Sequence, residues 1–273
     1  MKMKEDLVCD NVWLLGDSDH WGGAGISVLK VVLQSVIEEF NTLVGVSPKE
    51  QLLVMPDLNR GYPECCRLSN GTFVIFLSAR GDNNWSQFIY QFAHEYCHRL
   101  IGGPMDGELE TTFWFEESVC EMSSMFLLKR MTERWSSMNT SILGGRESSD
   151  VVKALFTLNR YTPINIPYLQ NLLQKNPPID VPLHEWLNTN MSTLSEQEYH
   201  RDLYNQISCV LFGLFSSFPA LWRVLPFLYR PTAAEYSDFQ TFITDTIPSR
   251  LTISIEHYPQ LAELLTGLES HSL

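Results

Sequence analysis

The five residues from His94 to His98, H-E-Y-C-H, constrain this chain more than any other part of its sequence. They lie in residues 85–101, which contain no proline or glycine and show the apolar periodicity of a helix. Residues four apart on a helix project from one face, so both imidazoles are expected to point the same way. Two such imidazoles bind zinc, and Glu95 is placed to take a proton from a metal-bound water. The apolar stripe expected to face the core is Tyr90, Ala93, Cys97 and Ile101.

A second helix is predicted soon after the first. Residues 102–104, Gly-Gly-Pro, end the first helix, and a long helical stretch follows from Glu110 to about Met131. Two antiparallel helices joined by a short loop would return Glu117 to the histidines. We therefore expect His94, His98 and Glu117 to bind one zinc ion, Zn2+, with an open position for water, as in catalytic zinc sites.

Two further acidic residues lie close to Glu117 on this predicted helix. Glu116 is the competing metal ligand, but it is about 100° round the helix from Glu117. Glu121 lies one turn beyond Glu117 on the same face. There it is expected to accept the free ring N–H of a liganding histidine, and a solvent-exposed carboxylate is the alternative.

The two motifs together resemble those of the gluzincin metallopeptidases, which include thermolysin-like and aminopeptidase-N-like enzymes. The segment Trp114–Glu121, W-F-E-E-S-V-C-E, is similar to the aminopeptidase-N-like W-x-x-E-G-x-A-E, and Glu117 falls on the ligand position. The close resemblance extends from Phe73 to Glu121. It implies a zinc peptidase in which Glu95 is the general base.

The resemblance also implies that a tyrosine or histidine of the carboxy-terminal half stabilises the oxyanion. Tyr204 begins a run, Y-N-Q-I-S-C-V-L-F-G-L-F, that resembles the helix carrying this tyrosine in aminopeptidase-N-like proteins. Tyr204 is therefore the predicted catalytic partner of Glu95, and Tyr199 and His200 are the alternatives. The helix is predicted to begin near Glu196, at the capping box Ser195–Glu198.

The order of predicted elements indicates an α+β fold. A helix at 25–40, a strand at 51–55 and a hairpin at 66–78 that turns at Asn70-Gly71 precede the histidine helix. This order is that of a small zincin amino-terminal lobe. The predicted fold is therefore zincin-like, as one compact catalytic unit with the metal site between two lobes. These are a sheet-plus-helix lobe, residues 1–105, and a mainly helical lobe, residues 106–273, in which the proline-rich residues 161–182 are expected to be loop.

The expected substrate is a peptide or protein that is cut internally. Aminopeptidase-N-like relatives hold the substrate's ammonium with the Glu of G-x-M-E-N, and the comparable residues here, 72–80, contain no acid. Glu116 could replace that Glu, which keeps an exopeptidase as the alternative. Extended substrate is expected to pair with the strand beside the site. Ser78 and Ala79 at the end of that strand are either at its edge or in the core.

Composition restricts the possible partners and the cellular location of the protein. A net charge of −13 argues against nucleic acid and anionic membrane surfaces as partners. No run of 18 apolar residues predicts a membrane span, and six scattered cysteines do not suggest a disulfide framework, so the chain is predicted to be cytoplasmic. The alternative function is a catalytically inactive zincin-fold protein that binds peptides or regulates a partner. The presence of Glu95 weighs against it, because metal binding alone does not require a base.

Overall fold

The structure is a computed structural model that describes residues 4–101, 113–137, 149–176, 179–181, 183–194 and 199–227. The strands are β1 (Glu5–Cys9), β2 (Val12–Leu15), β3 (Leu52–Pro56), β4 (Glu64–Arg67) and β5 (Phe73–Leu77). The helices are α1 (Ile26–Val44), α2 (Trp85–Ile101), α3 (Phe113–Ser137), α4 (Ser149–Lys175), α5 (Leu183–Leu194) and α6 (Arg201–Ser217). A 3₁₀ helix follows at Pro219–Phe227. The predicted α+β class is confirmed, because a small sheet precedes a mainly helical remainder.

The five strands form one mixed sheet in the order β1-β2-β3-β5-β4. Strands β2, β3 and β5 are parallel, and α1 crosses over between β2 and β3. The outer strands run antiparallel to their neighbours, β1 to β2 and β4 to β5. Strand β4 is therefore an edge of the sheet, whereas β5 lies inside it.

The β4–β5 hairpin has the turn that the sequence predicted. Gly71 adopts a φ of 85°, a conformation that glycine tolerates without steric cost, and the Asn70 side chain accepts the Thr72 N–H at 3.0 Å. The β1–β2 hairpin was not predicted. Its turn contains Asn11 at a φ of 62°, a left-handed conformation that asparagine adopts more readily than most residues.

Helix α2 is buried on every side rather than along one stripe. Each of its residues except Gln87 is buried, since sheet strands, α1 and α3 all pack against it. The polar side chains of this helix, the histidines included, are therefore held in a largely desolvated environment. The four residues of the predicted stripe are buried, as expected. The other faces are buried as well, which the sequence of a single helix does not show, because it does not reveal how many neighbours will cover the helix.

Hydroxyl side chains connect α3 to the helices on either side. Ser124 Oγ donates to the Tyr90 carbonyl of α2 at 2.9 Å. Ser208 Oγ of α6 lies between two carbonyls, 2.9 Å from that of Ser118 on α3 and 2.7 Å from that of Tyr204 on its own helix. Small side chains allow helix backbones to approach closely, and the paired hydroxyls satisfy buried carbonyls. The buried Trp222 of the 3₁₀ helix packs edge-on against Phe40 of α1.

Two regions of the helical half differ from the predictions. Helix α4 continues through Pro163 and Pro167, where the sequence indicated a loop. Proline removes one helical hydrogen bond, but the α4 side chains Leu158, Thr162 and Asn165 are buried against the rest of the protein, and this packing stabilises the helix. Helix α6 begins at Arg201 instead of near Glu196, so Tyr199 and His200 precede it. The predicted capping box at 195–198 lies outside the described residues.

Among the described residues, no helix has both the length and the apolar character that crossing a membrane requires.

Candidate metal centre

The packing of α2 against α3 brings His94, His98 and Glu117 together. Glu117 Oε2 lies 3.3 Å from Nε2 of His94, and Glu117 Oε1 lies 3.3 Å from Nε2 of His98. The two imidazole rings are 5.0 Å apart at their centroids. All three side chains are buried, and one donor atom from each lies within 4.8 Å of the others. The structure thus groups the three residues that the sequence predicted as ligands.

The chemistry of these donors fits a zinc ion. Each Nε2 lies 3.3 Å from a different oxygen of the Glu117 carboxylate, and the three donor groups are close enough to share one ion. Two imidazoles and one carboxylate are also a donor set found in catalytic zinc sites, which keep the fourth position for water.

The outer nitrogen of each histidine faces a second carboxylate. His98 Nδ1–H donates to Glu116 Oε1 at 2.7 Å, and His94 Nδ1 lies 3.6 Å from Glu121 Oε2. Carboxylates in these positions fix the ring orientation and leave Nε2 as the metal-binding atom. Glu121 is buried, which excludes the solvent-exposed alternative. Glu116, the competing ligand in the sequence, contacts the outer nitrogen of His98. The sequence analysis did not predict this partner role, although the position of Glu116 beside Glu117 could have suggested it.

The arrangement around His98 favours a cation between the imidazole and Glu117. With its Nδ1–H used by Glu116, a neutral His98 would turn the lone pair of Nε2 toward a carboxylate oxygen. Either a second proton or a metal ion removes that repulsion. Burial by itself lowers the pKa of His98, but the charge of Glu117 and the hydrogen bond to Glu116 outweigh it and raise that pKa well above the usual value.

Glu117 is perturbed in the opposite direction. Burial opposes ionisation of its carboxyl group, but the charge of His98 and the hydrogen bonds from both histidines hold the pKa of Glu117 far below its usual value. Glu117 therefore stays an anion at neutral pH. A buried anion that faces two imidazoles attracts a divalent cation to the point between them.

Glu95 lies beside the cluster as the sequence predicted. It is buried, and its carboxylate accepts a hydrogen bond from the Cys65 backbone N–H on β4. Burial raises the pKa of Glu95, although the nearby His94 and His98 lower it in part. A carboxylate with a raised pKa is a stronger base than one in water. No sequence signal linked Glu95 to Cys65, because their contact depends on how the sheet edge meets α2.

The three candidate oxyanion residues lie at different places around α6. The hydroxyl of Tyr199, which precedes the helix, donates to Glu117 Oε2 at 3.3 Å. Tyr204 lies inside α6, and its ring packs edge-on against that of Tyr199 at 5.1 Å. His200 occupies the cap position of the helix. The hydroxyl that contacts a predicted ligand is thus that of Tyr199, which the sequence gave only as an alternative to Tyr204.

Ser78 and Ala79 belong to the core side of the sheet. Their backbone N–H groups both donate to Gln91 Oε1 of α2, at 3.0 and 2.9 Å. They therefore do not present an edge to substrate. The edge beside the metal cluster is β4, since Cys65 of that strand contacts Glu95.

Comparison of the chain with models of known protein families found no match, and a search among curated proteins found none.

The metal-free protein is expected to be most stabilised by this cluster between about pH 4.5 and 6.5. The raised pKa of His98 gives stability that is complete below its ordinary value of 6.5 and is lost as the pH rises through the raised value. The lowered pKa of Glu117 gives stability that is present above 4.5 and is lost as the pH falls through the lowered value. The measurement is the thermal unfolding temperature after chelator treatment, from about pH 3 to 9 at constant ionic strength, which should be highest in this pH range.

The matched control for this measurement is His98→Gln. It removes the group that titrates and should flatten the alkaline side of the profile. An unfolding temperature of wild-type protein that rises steadily through neutral pH would contradict the charge assignment.

Proposed function

We propose that this chain is a zinc-dependent metallohydrolase with a zincin-like fold, and that it cleaves peptide bonds. The observation that carries the proposal is the three-donor cluster, in which each Nε2 lies 3.3 Å from Glu117 and each outer nitrogen faces a carboxylate. A structural polar cluster would not need a base beside it, whereas Glu95 occupies that place. A bound zinc ion supplies an activated water and polarises the scissile carbonyl.

Glu95 is the proposed general base and then the general acid. Its carboxylate removes a proton from the attacking water and passes it to the leaving amine. Burial raises the pKa of Glu95, which suits both steps, because the group binds the proton more readily than an exposed carboxylate does. The Cys65 N–H holds one side of the carboxylate and limits its rotation.

Tyr199 is the proposed oxyanion donor, in preference to Tyr204. Its hydroxyl reaches Glu117 directly, and it lies on the segment just before α6. Tyr199 is 52% exposed, so substrate can reach it. Tyr204 is only 2% exposed, and its ring packs edge-on against that of Tyr199. A hydroxyl aimed at the developing negative charge stabilises the transition state more than the ground state.

Strand β4 is the proposed docking edge for an extended peptide. In the β4–β5 hairpin, the Leu68 N–H donates to the Thr72 carbonyl at 2.8 Å. Because hydrogen-bonded and non-hydrogen-bonded pairs alternate along an antiparallel ladder, the backbone N–H and C=O groups of Cys65 and Arg67 point away from β5. The Cys65 N–H is donated to Glu95. Within the described part of the chain, the Cys65 carbonyl and the peptide groups of Arg67 point away from β5, where the backbone of a substrate could pair with them.

Internal cleavage is the proposed mode. The exopeptidase alternative required Glu116 to bind the substrate's terminal ammonium. Glu116 Oε1 instead accepts a hydrogen bond from His98 at 2.7 Å, which commits this carboxylate to the metal cluster. Glu64 is the nearest acidic residue that precedes residues 72–80, and it forms an ion pair with Arg60 instead of facing a substrate ammonium.

Glu95→Gln should retain zinc and lower kcat by about 10²–10⁴-fold, because the change removes a base without removing a ligand. Glu117→Gln should lose zinc. The measurement is zinc content per chain together with cleavage of a peptide library, with and without chelator. Glu185→Gln, on an exposed position of α5, is the control.

The same experiment separates the proposal from its alternative. A wild-type protein that holds zinc, binds peptides and cleaves none of them would be the catalytically inactive peptide-binding protein. A wild-type protein that holds no zinc at all would contradict both.

Tyr199→Phe should lower kcat by about 10²–10³-fold with little change in KM, since the hydroxyl acts mainly on the transition state. Tyr204→Phe removes a hydroxyl from the neighbouring ring and should change kcat much less. Steady-state kinetics on one cleaved peptide check both variants. The reverse ranking would return the oxyanion role to Tyr204.

End-blocked peptides should be cleaved at internal bonds, while amino-acid anilides remain intact. The reason is that no carboxylate of the described cluster is left to hold a terminal ammonium. Mass spectrometry of the products after incubation with zinc-loaded protein gives the cleavage positions. Turnover of the anilides alone would overturn the endopeptidase assignment.

A further inference from the structure

A buried tyrosine extends the cluster of His94, His98 and Glu117. Tyr90 lies on α2 one turn before His94, and its hydroxyl donates to Glu121 Oε1. The other oxygen of the same carboxylate, Oε2, lies 3.6 Å from His94 Nδ1. A single carboxylate is thus shared between a phenol and an imidazole.

Tyr90 is itself held firmly in place. Ser124 of α3 donates to the Tyr90 carbonyl at 2.9 Å. The Tyr90 ring packs edge-on against Tyr168 of α4, with the centroids 6.0 Å apart. One neighbouring helix thus holds the Tyr90 backbone and another packs against its ring, so the phenol can act as an anchor for the carboxylate.

The two histidines differ in how much they depend on such an anchor. His98 has a direct hydrogen bond of 2.7 Å to Glu116. His94 has a longer contact of 3.6 Å with Glu121, whose side chain is only 8% exposed. A rotation of Glu121 would lengthen this contact further. The orientation of His94 therefore depends on whatever fixes the Glu121 carboxylate.

We propose that Tyr90 is a positioning residue for the metal centre and acts on His94 through Glu121. Its hydroxyl occupies Oε1 and so presents Oε2 to Nδ1–H of His94. That contact fixes the ring and leaves Nε2 as the metal-binding atom. The inference rests on the proposed zinc-binding function, to which it adds a residue that touches neither metal nor substrate.

The test compares zinc dissociation constants, measured by competition with a chelator. Tyr90→Phe keeps the ring and removes the hydroxyl, and it should weaken zinc binding about tenfold, the lower end for residues that support metal ligands. Tyr96→Phe is the matched control. Tyr96 is also buried on α2, but its ring packs against Phe40 and Phe92. This control should leave zinc affinity unchanged.

A double-mutant cycle shows whether Tyr90 acts through Glu121. If it does, Tyr90→Phe should have no further effect on zinc affinity in a Glu121→Ala background. Additive losses, or equal losses from Tyr90→Phe and Tyr96→Phe, would overturn the inference while leaving the zinc site intact. Absence of zinc binding by the wild-type protein would instead overturn the proposed function and the inference together.

A second substitution covers the case in which Tyr90→Phe does not fold. Replacing Tyr90 with 3-fluorotyrosine keeps the size of the ring and makes the hydroxyl a stronger donor. Zinc affinity should then rise relative to wild type. An unchanged affinity would count against the role of the hydroxyl.

Discussion

The Glu117 carboxylate, buried between two imidazoles, is the interaction on which the rest of the structure depends. It joins α2 to α3, since both histidines lie on one helix and the carboxylate on the other. An isolated carboxylate at this depth would be strongly destabilising, because burial removes its hydration. The histidines compensate for that loss, and they hold the pKa of Glu117 low. The close packing of the two helices, with Ser124 bonded to the Tyr90 carbonyl, keeps these groups at a fixed separation.

The carboxylates around this pair have separate tasks that follow from their positions. Glu117 faces both Nε2 atoms, and Glu116 and Glu121 face the two Nδ1 atoms. Glu95 lies beside them and accepts a hydrogen bond from the Cys65 backbone of the edge strand β4. Their environments separate their acidities. The pKa of Glu117 is lowered, whereas burial raises the pKa of Glu121 to about 7 and also raises that of Glu95. Burial and partners thus separate side chains of one chemical type, which suits the proposed roles of ligand, support and base.

The proposed cleft lies where the two halves of the chain meet. Strand β4 reaches it from the sheet through Cys65, and Tyr199 reaches it from the segment before α6. These contributions come from residues far apart in sequence. In the proposed function, the sheet edge would supply affinity through backbone pairing, and the side chains of the cluster would supply the chemistry.

The sequence by itself determined the parts of this protein that depend on local periodicity. The spacing of His94 and His98 placed both imidazoles on one helical face, and Asn70-Gly71 specified the β4–β5 turn. The return of Glu117 also followed from a helix end and a second helical stretch. Tertiary structure alone decided that β4 is the sheet edge, that α4 continues through its prolines, and that Tyr199 reaches Glu117. These outcomes depend on which elements pack side by side, and that packing joins residues too distant in the chain for any periodicity to connect.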